Sequence, residues 1–286
     1  MNNILILGAN SFVASGFYKL LDMNKYHVYL FSRGTENRCN NKITGDYLTI
    51  SKNKLFDNNY NVVINFAVLK DKTLNDNINY IKEVIEFCKN HNVKKLIHFS
   101  SIMAYKYDLE EVNETTKIET LDNTLKKGYG EFKIGVDQYL LNLKEEVPFE
   151  IILVRPGYVL ADNRPCPFIK KLPLKLSFIK GNKKSKQPIV KREDIHRALV
   201  RIIETENNLP VYHFFPNDGM TKYKYAKQTV GGIILTMPKC IFKYIPHILS
   251  KIGIMPQSLY SRFEGMYIES NFSSKLTEEK LNIKFK

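Results

Sequence analysis

The sequence lacks the features that mark several common protein classes. Its 286 residues hold four cysteines, Cys39, Cys88, Cys166 and Cys240, scattered without a Cys-x-x-Cys or Cys/His pattern. That argues against a structural zinc site and a disulfide framework, and for a reducing compartment. The six histidines (His27, His91, His98, His196, His213 and His247) show no paired spacing of metal ligands, so no metal is expected. His196 and His213 read as core or surface residues. No run of eighteen apolar residues occurs, which excludes a predicted transmembrane helix. The first apolar run, Ile4–Leu7, is too short for a signal-peptide core and has no basic leader, so a cytoplasmic location is expected. The usual nucleic-acid reading modules are missing too, and nucleic acid is not expected as a partner.

Acidic residues are absent from two long stretches. Ten Lys and Arg lie from Arg164 to Arg192 with no acid among them, and seven more lie between Asp218 and Glu264, again with none. Those seventeen of the 43 basic residues leave 26 against 29 acids elsewhere, so the formal net charge of +14 belongs to the second half of the chain. A basic second half suits an anionic substrate or an anionic membrane surface. The remaining composition, 44% hydrophobic and 25% charged, is that of a soluble globular enzyme.

What is present is an alternation of strands and helices. Asn3–Leu7 reads as a buried parallel strand ending in a glycine-bearing turn, Gly8 to Gly16, before the helix-like Phe17–Leu21. Such a turn brings backbone N–H groups and a helix dipole onto a pyrophosphate. His27–Phe31 is a second strand with Ser32, Arg33 and Gly34 at its end, and Val62–Ala67 a third. Asn75–His91 has helical periodicity, Lys95–Phe99 is a strand ending in Ser100 and Ser101, and Glu150–Val154 is a strand ending in Arg155, Pro156 and Gly157. The pattern predicts an α/β fold, a doubly wound parallel sheet of Rossmann type with a smaller C-terminal substrate domain. Residues 1–160 and 187–216 are assigned to dinucleotide binding, and 161–186 and 217–286 to substrate. Ligands of such sheets bind at the carboxyl ends of strands, where Gly8, Arg33, Ala67, Ser101 and Gly157 all fall.

Tyr129 and Lys133 stand four residues apart, one turn on a predicted helix. An ammonium beside a phenol favours the phenolate and brings a group of pKa about 10 toward the working range of a general acid/base. A second pair with this spacing, Tyr223 and Lys227, lies too late in the chain to share the strand-end site. Lys126 and Lys127 read as a solvated face, and Asn77 as a polar helix residue. Arg33 follows the second strand, where a fold specific for NAD places an acid on the ribose. An arginine there suits a 2′-phosphate, so NADP is favoured over NAD as the cofactor.

These residues resemble the extended short-chain dehydrogenases/reductases, which include nucleotide-sugar epimerases, dehydratases and 4-keto reductases. The resemblance spans nearly the whole chain. The family's Gly-x-x-Gly-x-x-Gly turn appears as Gly8, Ser11 and Ala14, with only the first glycine kept. Its Ser-Ser-x-x-x-Tyr-Gly pattern appears as Ser100 to Lys106, with lysine in place of the last glycine, and its Tyr-x-x-x-Lys as Tyr129/Lys133. Asp194, in Lys191-Arg192-Glu193-Asp194-Ile195, also resembles the family. The resemblance implies Ser101, Tyr129 and Lys133 as catalytic residues. It implies cofactor contacts from Gly8, Asn10, Ser11, Phe12, Val13, Arg33, Asp46, Tyr47, Phe66, Ala67, Ser100, Tyr129, Lys133, Pro156 and Gly157. Asp46 matches an adenine contact or is a turn aspartate. Where many nucleotide-sugar enzymes place an arginine on the substrate diphosphate this chain has Gln187, with Lys183, Lys184 and Lys186 as replacement phosphate partners.

The function expected is an NAD(P)-dependent sugar epimerase or ketoreductase acting on an anionic, nucleotide-linked sugar in surface-glycan biosynthesis. One alternative is a peripheral membrane enzyme acting on a polyprenyl-diphosphate-linked sugar, and another a non-catalytic NAD(P)-binding sensor or scaffold. A homodimer is compatible with each. The membrane alternative draws on Lys239, Lys243, His247 and Lys251, which recur every four residues. With Ile241, Phe242, Ile245, Ile248, Leu249 and Ile252 turned away from them, they describe a basic amphipathic helix that begins at Pro238 and kinks at Pro246. This part also resembles the C-terminal region of family members that epimerise polyprenyl-diphosphate-linked sugars.

Overall fold

Short apolar runs become the central strands of one large sheet, because a parallel strand buried on both faces needs no polar side. The protein is described here by a computed structural model, which covers residues 2–106, 109–160, 166, 168–173, 176–181, 183–186, 188–230, 232–236, 241, 244–256, 259–260 and 270–286. Its first half contains β1 (Asn2–Leu7), β2 (Tyr26–Arg33), β3 (Asn37–Cys39), β4 (Lys42–Gly45), β5 (Val62–Asn65), α1 (Leu74–Asn90), β6 (Lys95–Phe99), β7 (Glu111–Val112) and α2 (Tyr129–Leu143). Then follow β8 (Glu150–Pro156), β9 (Tyr158–Leu160), β10 (Ile169–Leu172), β11 (Leu176–Ile179), β12 (Ile189–Lys191), α3 (Arg192–Glu204) and β13 (Val211–Phe214). The chain continues through α4 (Lys222–Thr229), β14 (Ile233–Thr236), α5 (Ile245–Lys251), β15 (Asn271–Phe272) and α6 (Lys275–Leu281).

Eight strands form the large sheet in the order β13-β8-β6-β5-β1-β2-β4-β3. All its pairings are parallel except that of β3 with β4. One face is covered by Phe17 and Leu21 with Ile195, Leu199 and Ile202 of α3, the other by Val84 and Cys88 of α1 with Val136 and Leu140 of α2. The sheet is therefore doubly wound, as the alternation of elements predicts. A separate sheet, β10-β11-β14, is drawn from within the two acid-free stretches. The chain then returns: β15 pairs with β7, and Leu281 and Phe285 enter the core of the large sheet.

One expectation fails for a local reason. The helix predicted after the first strand is only a 3-10 turn, Phe17–Leu20. Gly16 before it holds φ at 84°, which a right-handed helix does not allow, so Gly8–Gly16 is a chain of turns without a helix behind it. No macrodipole is aimed from there at the cleft, and anion binding falls to the turn's own N–H groups. Of the amphipathic helix predicted from Pro238, the described part is α5, with Pro246 in its first turn, where a missing N–H costs nothing. Pro238, Lys239, Phe242 and Lys243 lie outside the described residues, as does Gln187.

Ile64, wholly buried in β5, and Ile248, exposed on α5, give a stability contrast. Ile64→Ala is expected to lower unfolding free energy by about 2–5 kcal/mol, and Ile248→Ala to change it by about 0.5 kcal/mol or less. Urea denaturation followed by circular dichroism measures both, and equal losses would contradict this assignment of the core.

Candidate active site

A cleft of about 1190 Å³ opens at the carboxyl ends of β1, β5, β6 and β8. Its position follows from strand order: β1 pairs with β2 on one side and β5 on the other, so successive crossovers leave in opposite directions there. Gly8 follows β1 at φ 75°, and a Cβ on it would stand 2.8 Å from the Ala67 nitrogen. The loop after β5 is pinned from two sides. Asn65 Oδ1 accepts from Ala67 N–H at 3.0 Å and from the Tyr80 hydroxyl at 2.8 Å. Asn77 of α1 accepts from Leu69 N–H at 2.9 Å and donates to the carbonyls of Leu69 and Thr73. The reading of Asn77 as merely a polar helix residue is therefore wrong: it is buried and fixes this loop.

Ser101 leaves β6 in extended conformation and caps the 3-10 turn Ile102–Ala104, its Oγ accepting from Met103 N–H at 3.2 Å. An oxygen used as an acceptor leaves its O–H free to donate into the cleft. Tyr129 is the first residue of α2, following Gly128 at φ 64°. The Glu131 carboxylate accepts from Gly128 N–H at 3.3 Å and pairs with Lys127 at 3.0 Å, securing that helix start. Lys133 lies one turn on, its Nζ 5.5 Å from the Tyr129 ring centre and donating to the Phe99 carbonyl. Burial pulls the Lys133 amine down to about 8, while Asp137 opposes that shift and Lys70 adds to it. The pair Tyr223/Lys227 belongs to α4, away from these strand ends.

Of the other residues expected at the cofactor, Asn10, Ser11, Phe12, Val13, Arg33, Tyr47, Phe66, Ser100, Pro156 and Gly157 line the same cleft as Gly8, Ala67, Ser101, Tyr129 and Lys133. Ser11 accepts from Ala14 N–H at 3.3 Å, so its hydroxyl closes the turn. His196 Nε2 donates to the Val13 carbonyl at 2.7 Å and steadies the same turn from α3. Asp46 is not among the lining residues. It caps the turn Tyr47–Lys52 by accepting from Leu48 N–H at 3.0 Å, which is the turn aspartate alternative. Arg33 is exposed and paired with Asp71 at 2.7 Å.

Two lysines escaped the sequence reading. Lys70, at the end of the pinned loop, places its Nζ 5.5 Å from the Tyr129 ring centre, so Tyr129 has an ammonium from each of two elements. Lys126 is not part of a solvated face. It is buried, pairs with Glu119 at 2.7 Å and donates to the carbonyls of Met103 and Tyr105, tying the loop after β6 to the start of α2. Its partners lie 7 to 23 residues away, beyond any local pattern. Among the described residues the cleft is lined by Arg33, Lys70, Lys126, Lys127 and Lys133 and by no acid. No group of three His, Cys, Asp or Glu placed to hold a metal occurs among them.

A model of the NAD dependent epimerase/dehydratase family matches residues 4–215 of this chain. Among solved structures, a UDP-glucose 4-epimerase from Bifidobacterium longum, in complex with NAD+ and UDP, superposes with a TM-score of 0.69 at 16% identity, covering 100% of this chain and 94% of that one. A UDP-glucose 4-epimerase from Thermotoga maritima, with UDP-glucose, gives 0.68 at 18% identity, covering 99% and 94%. An NAD dependent NDP-hexosamine 5,6-dehydratase of tunicamycin biosynthesis gives 0.68 at 14% identity, covering 98% and 91%. No curated protein matches the chain in sequence.

Tyr129→Phe is expected to cut turnover by roughly two or more powers of ten, as loss of a general acid/base does, while leaving cofactor binding nearly intact. Tyr223→Phe is expected to leave turnover unchanged. Steady-state rates on a panel of nucleotide sugars measure both, and matching losses in the two variants would refute the assignment.

Proposed function

The chain belongs to the NAD dependent epimerase/dehydratase family, and from that premise we propose that this enzyme is an NAD(P)-dependent epimerase or ketoreductase of a nucleotide-linked sugar, serving surface-glycan synthesis. One observation carries the reading: Ser101, Tyr129 and Lys133, from two separate elements, meet in one cleft beside the strand-order reversal. The cleft residues fit a dinucleotide. Gly8 leaves bare backbone against the loop of Ala67, and the lining side chains offer cations with no opposing acid among the described residues. Gly8, Asn10, Ser11, Phe12 and Val13 would hold the pyrophosphate side, Arg33 and Tyr47 the adenosine end, and Phe66, Ala67, Ser100, Lys133, Pro156 and Gly157 the nicotinamide end. The bound cofactor supplies the hydride acceptor or donor for the sugar carbon.

The chain's own groups manage the proton. Ser101 donates its O–H to the sugar oxygen that is gaining or losing a proton, and Tyr129 exchanges that proton with its phenol. The ammonium groups of Lys133 and Lys70 beside the ring favour the phenolate. Below about pH 8 Lys133 stays charged, so its support of Tyr129 is present at neutral pH and lost as pH rises through that value. Epimerisation and ketoreduction draw on the same three residues. The sheet β10-β11-β14, with residues 161–186 and 217–269 around it in sequence, is taken as the substrate-binding part, while residues 270–286, expected there, return to the large sheet. Residues 1–160 and 187–216 form the dinucleotide-binding part. A scaffold without catalysis would not need Tyr129 and Lys133 to meet in the cleft.

NADP is favoured over NAD because the adenosine end offers Arg33 and, among the described residues, no lining acid. The partner Asp71 releases one guanidinium edge when a 2′-phosphate competes for it. Arg33→Ala is expected to weaken NADPH roughly tenfold to a hundredfold, the worth of a charge-assisted bond, and NADH little. Fluorescence titration of both nucleotides measures this; a wild-type preference for NADH that the substitution leaves unchanged would overturn it.

A second reading, peripheral attachment to a membrane carrying a lipid-linked sugar, is favoured by one surface. Ile245, Ile248, Ile252 and Ile254 are between 49% and 69% exposed around α5, rather than packed on a substrate domain. The stretch around them, between Asp218 and Glu264, has seven Lys and Arg and no acid. His247 on the same helix meets the Tyr260 hydroxyl at 3.0 Å. No helix among the described residues is long and apolar enough to cross a membrane, so contact would be at the headgroups. Co-sedimentation with phosphatidylglycerol liposomes is expected at low salt, falling with added salt and lost in Ile248→Glu/Ile252→Glu. Failure of the folded wild type to bind such liposomes would leave the nucleotide-linked sugar as substrate.

A further inference from the structure

Behind Lys133 runs a line of buried polar groups that the proposed proton transfer leaves unused. Asp137 stands one turn beyond Lys133 on α2, the spacing at which two side chains share a helix face. Arg155 of β8 binds it from the sheet, Nε donating to Asp137 Oδ2 at 2.9 Å, with the two side chains 1% and 0% exposed. Arg155 Nη1 donates at 2.6 Å to the hydroxyl of Tyr105, which lies 2.6 Å from His213 Nε2. His213 Nδ1 faces the Ser273 carbonyl at 2.8 Å, and a carbonyl only accepts, so Nδ1 carries the proton and Nε2 takes the one from Tyr105. Burial pushes the His213 imidazole down to about 3, in keeping with a neutral ring. The far end of this line therefore holds no charge and bonds one edge of the guanidinium.

Asp137 Oδ1 and Arg155 Nη2 have no hydrogen-bond partner among the described residues. A sealed ion pair of this kind adds little stability over apolar residues of similar size, so stability alone does not account for it. The groups facing Lys133 are Tyr129 and Asp137 on its own helix, Lys70 from the loop after β5, His98 from β6 and, beyond Asp137, Arg155 from β8. Burial and the neighbouring Lys133 hold His98 neutral. Asp137 is the one acid of the group.

We propose that Asp137 is a positioning residue for Lys133, its carboxylate fixed by Arg155 so that the lysine stays charged and directed at Tyr129 in a cleft lined by cations. This rests on the role given to Lys133 above. With the carboxylate removed, burial and Lys70 act unopposed, and Lys133 gives up its proton at lower pH. An opposite charge at such range moves a pKa by about 1–3.

The test is an NMR titration of protein labelled with [13C]lysine, the Lys133 Cε signal being assigned by its loss in Lys133→Met. Asp137→Asn is expected to lower the Lys133 midpoint by about one pH unit or more, and Asp137→Glu, which keeps the charge, to leave it close to wild type. Asparagine strands the buried guanidinium, so Asp137→Leu/Arg155→Leu is titrated beside it, with the same downward shift expected. An unchanged midpoint in either folded variant overturns the proposal. So does failure of both to fold while Asp137→Glu folds, which would make the pair purely structural. The titration uses neither substrate nor nucleotide. A protein that shows the shift but binds no NADPH or NADH would refute the proposed function alone, and one that binds them without the shift would refute only the role of Asp137.

Discussion

The meeting of the ends of β1 and β5 governs the rest of the site. A side chain on residue 8 would collide with the Ala67 backbone, and the backbone there is left-handed, so glycine alone satisfies both demands. With the two strand ends this close, the loop beyond Ala67 must run along the cleft wall. Asn65 and Asn77 then hold it by five hydrogen bonds, counting the Tyr80 hydroxyl. Lys70 arrives opposite Tyr129 on a fixed support. The same closeness sets the floor on which α2 presents Lys133 from the other side.

Much of this fold was legible in the sequence because its carriers are local. A buried parallel strand writes itself as a continuous apolar run, and β1, β5, β6 and β8 fall where those runs are, within two residues at either end. The convergence of Ser101, Tyr129 and Lys133 was read from one helical spacing and one strand end together with the family resemblance that joins them. What was not legible depends on distant partners. Lys126 looks like any surface lysine until Glu119 and two carbonyls enclose it, and Asn77 looks like a first-turn residue until the loop from Leu69 to Thr73 folds onto it. The lost helix after β1 shows the opposite failure: Phe17–Leu21 has helical spacing, but the left-handed Gly16 stops a helix from reaching the turn.

Electrostatics divides the site by depth. At the mouth, Arg33 and Lys127 are exposed and each is offset by one acid, so solvent screens them and their partners are exchangeable. Lower down, Lys133 and the Arg155–Asp137 pair are out of water, where each charge acts strongly on its neighbours. Solved structures sharing 14–18% identity superpose over nearly the full chain, so this layering is built on a backbone that tolerates extensive sequence change.

The return of residues 270–286 to the large sheet sets a timetable for the protein's birth. Thr277 donates its backbone N–H to Glu114 and accepts from His213 N–H, Ser274 donates to the Phe215 carbonyl, and Phe285 joins the core beside Phe214. A ribosome delivers these residues after everything they pack against, at about 5–20 residues per second. Through the synthesis of residues 215–269, which include the basic stretch between Asp218 and Glu264, β13 waits at the sheet margin with its cover still unmade. A nascent chain thus carries an open apolar flank for several seconds, and the arrival of residues 270–286, rather than completion of the Rossmann strands, is the moment at which the large sheet closes.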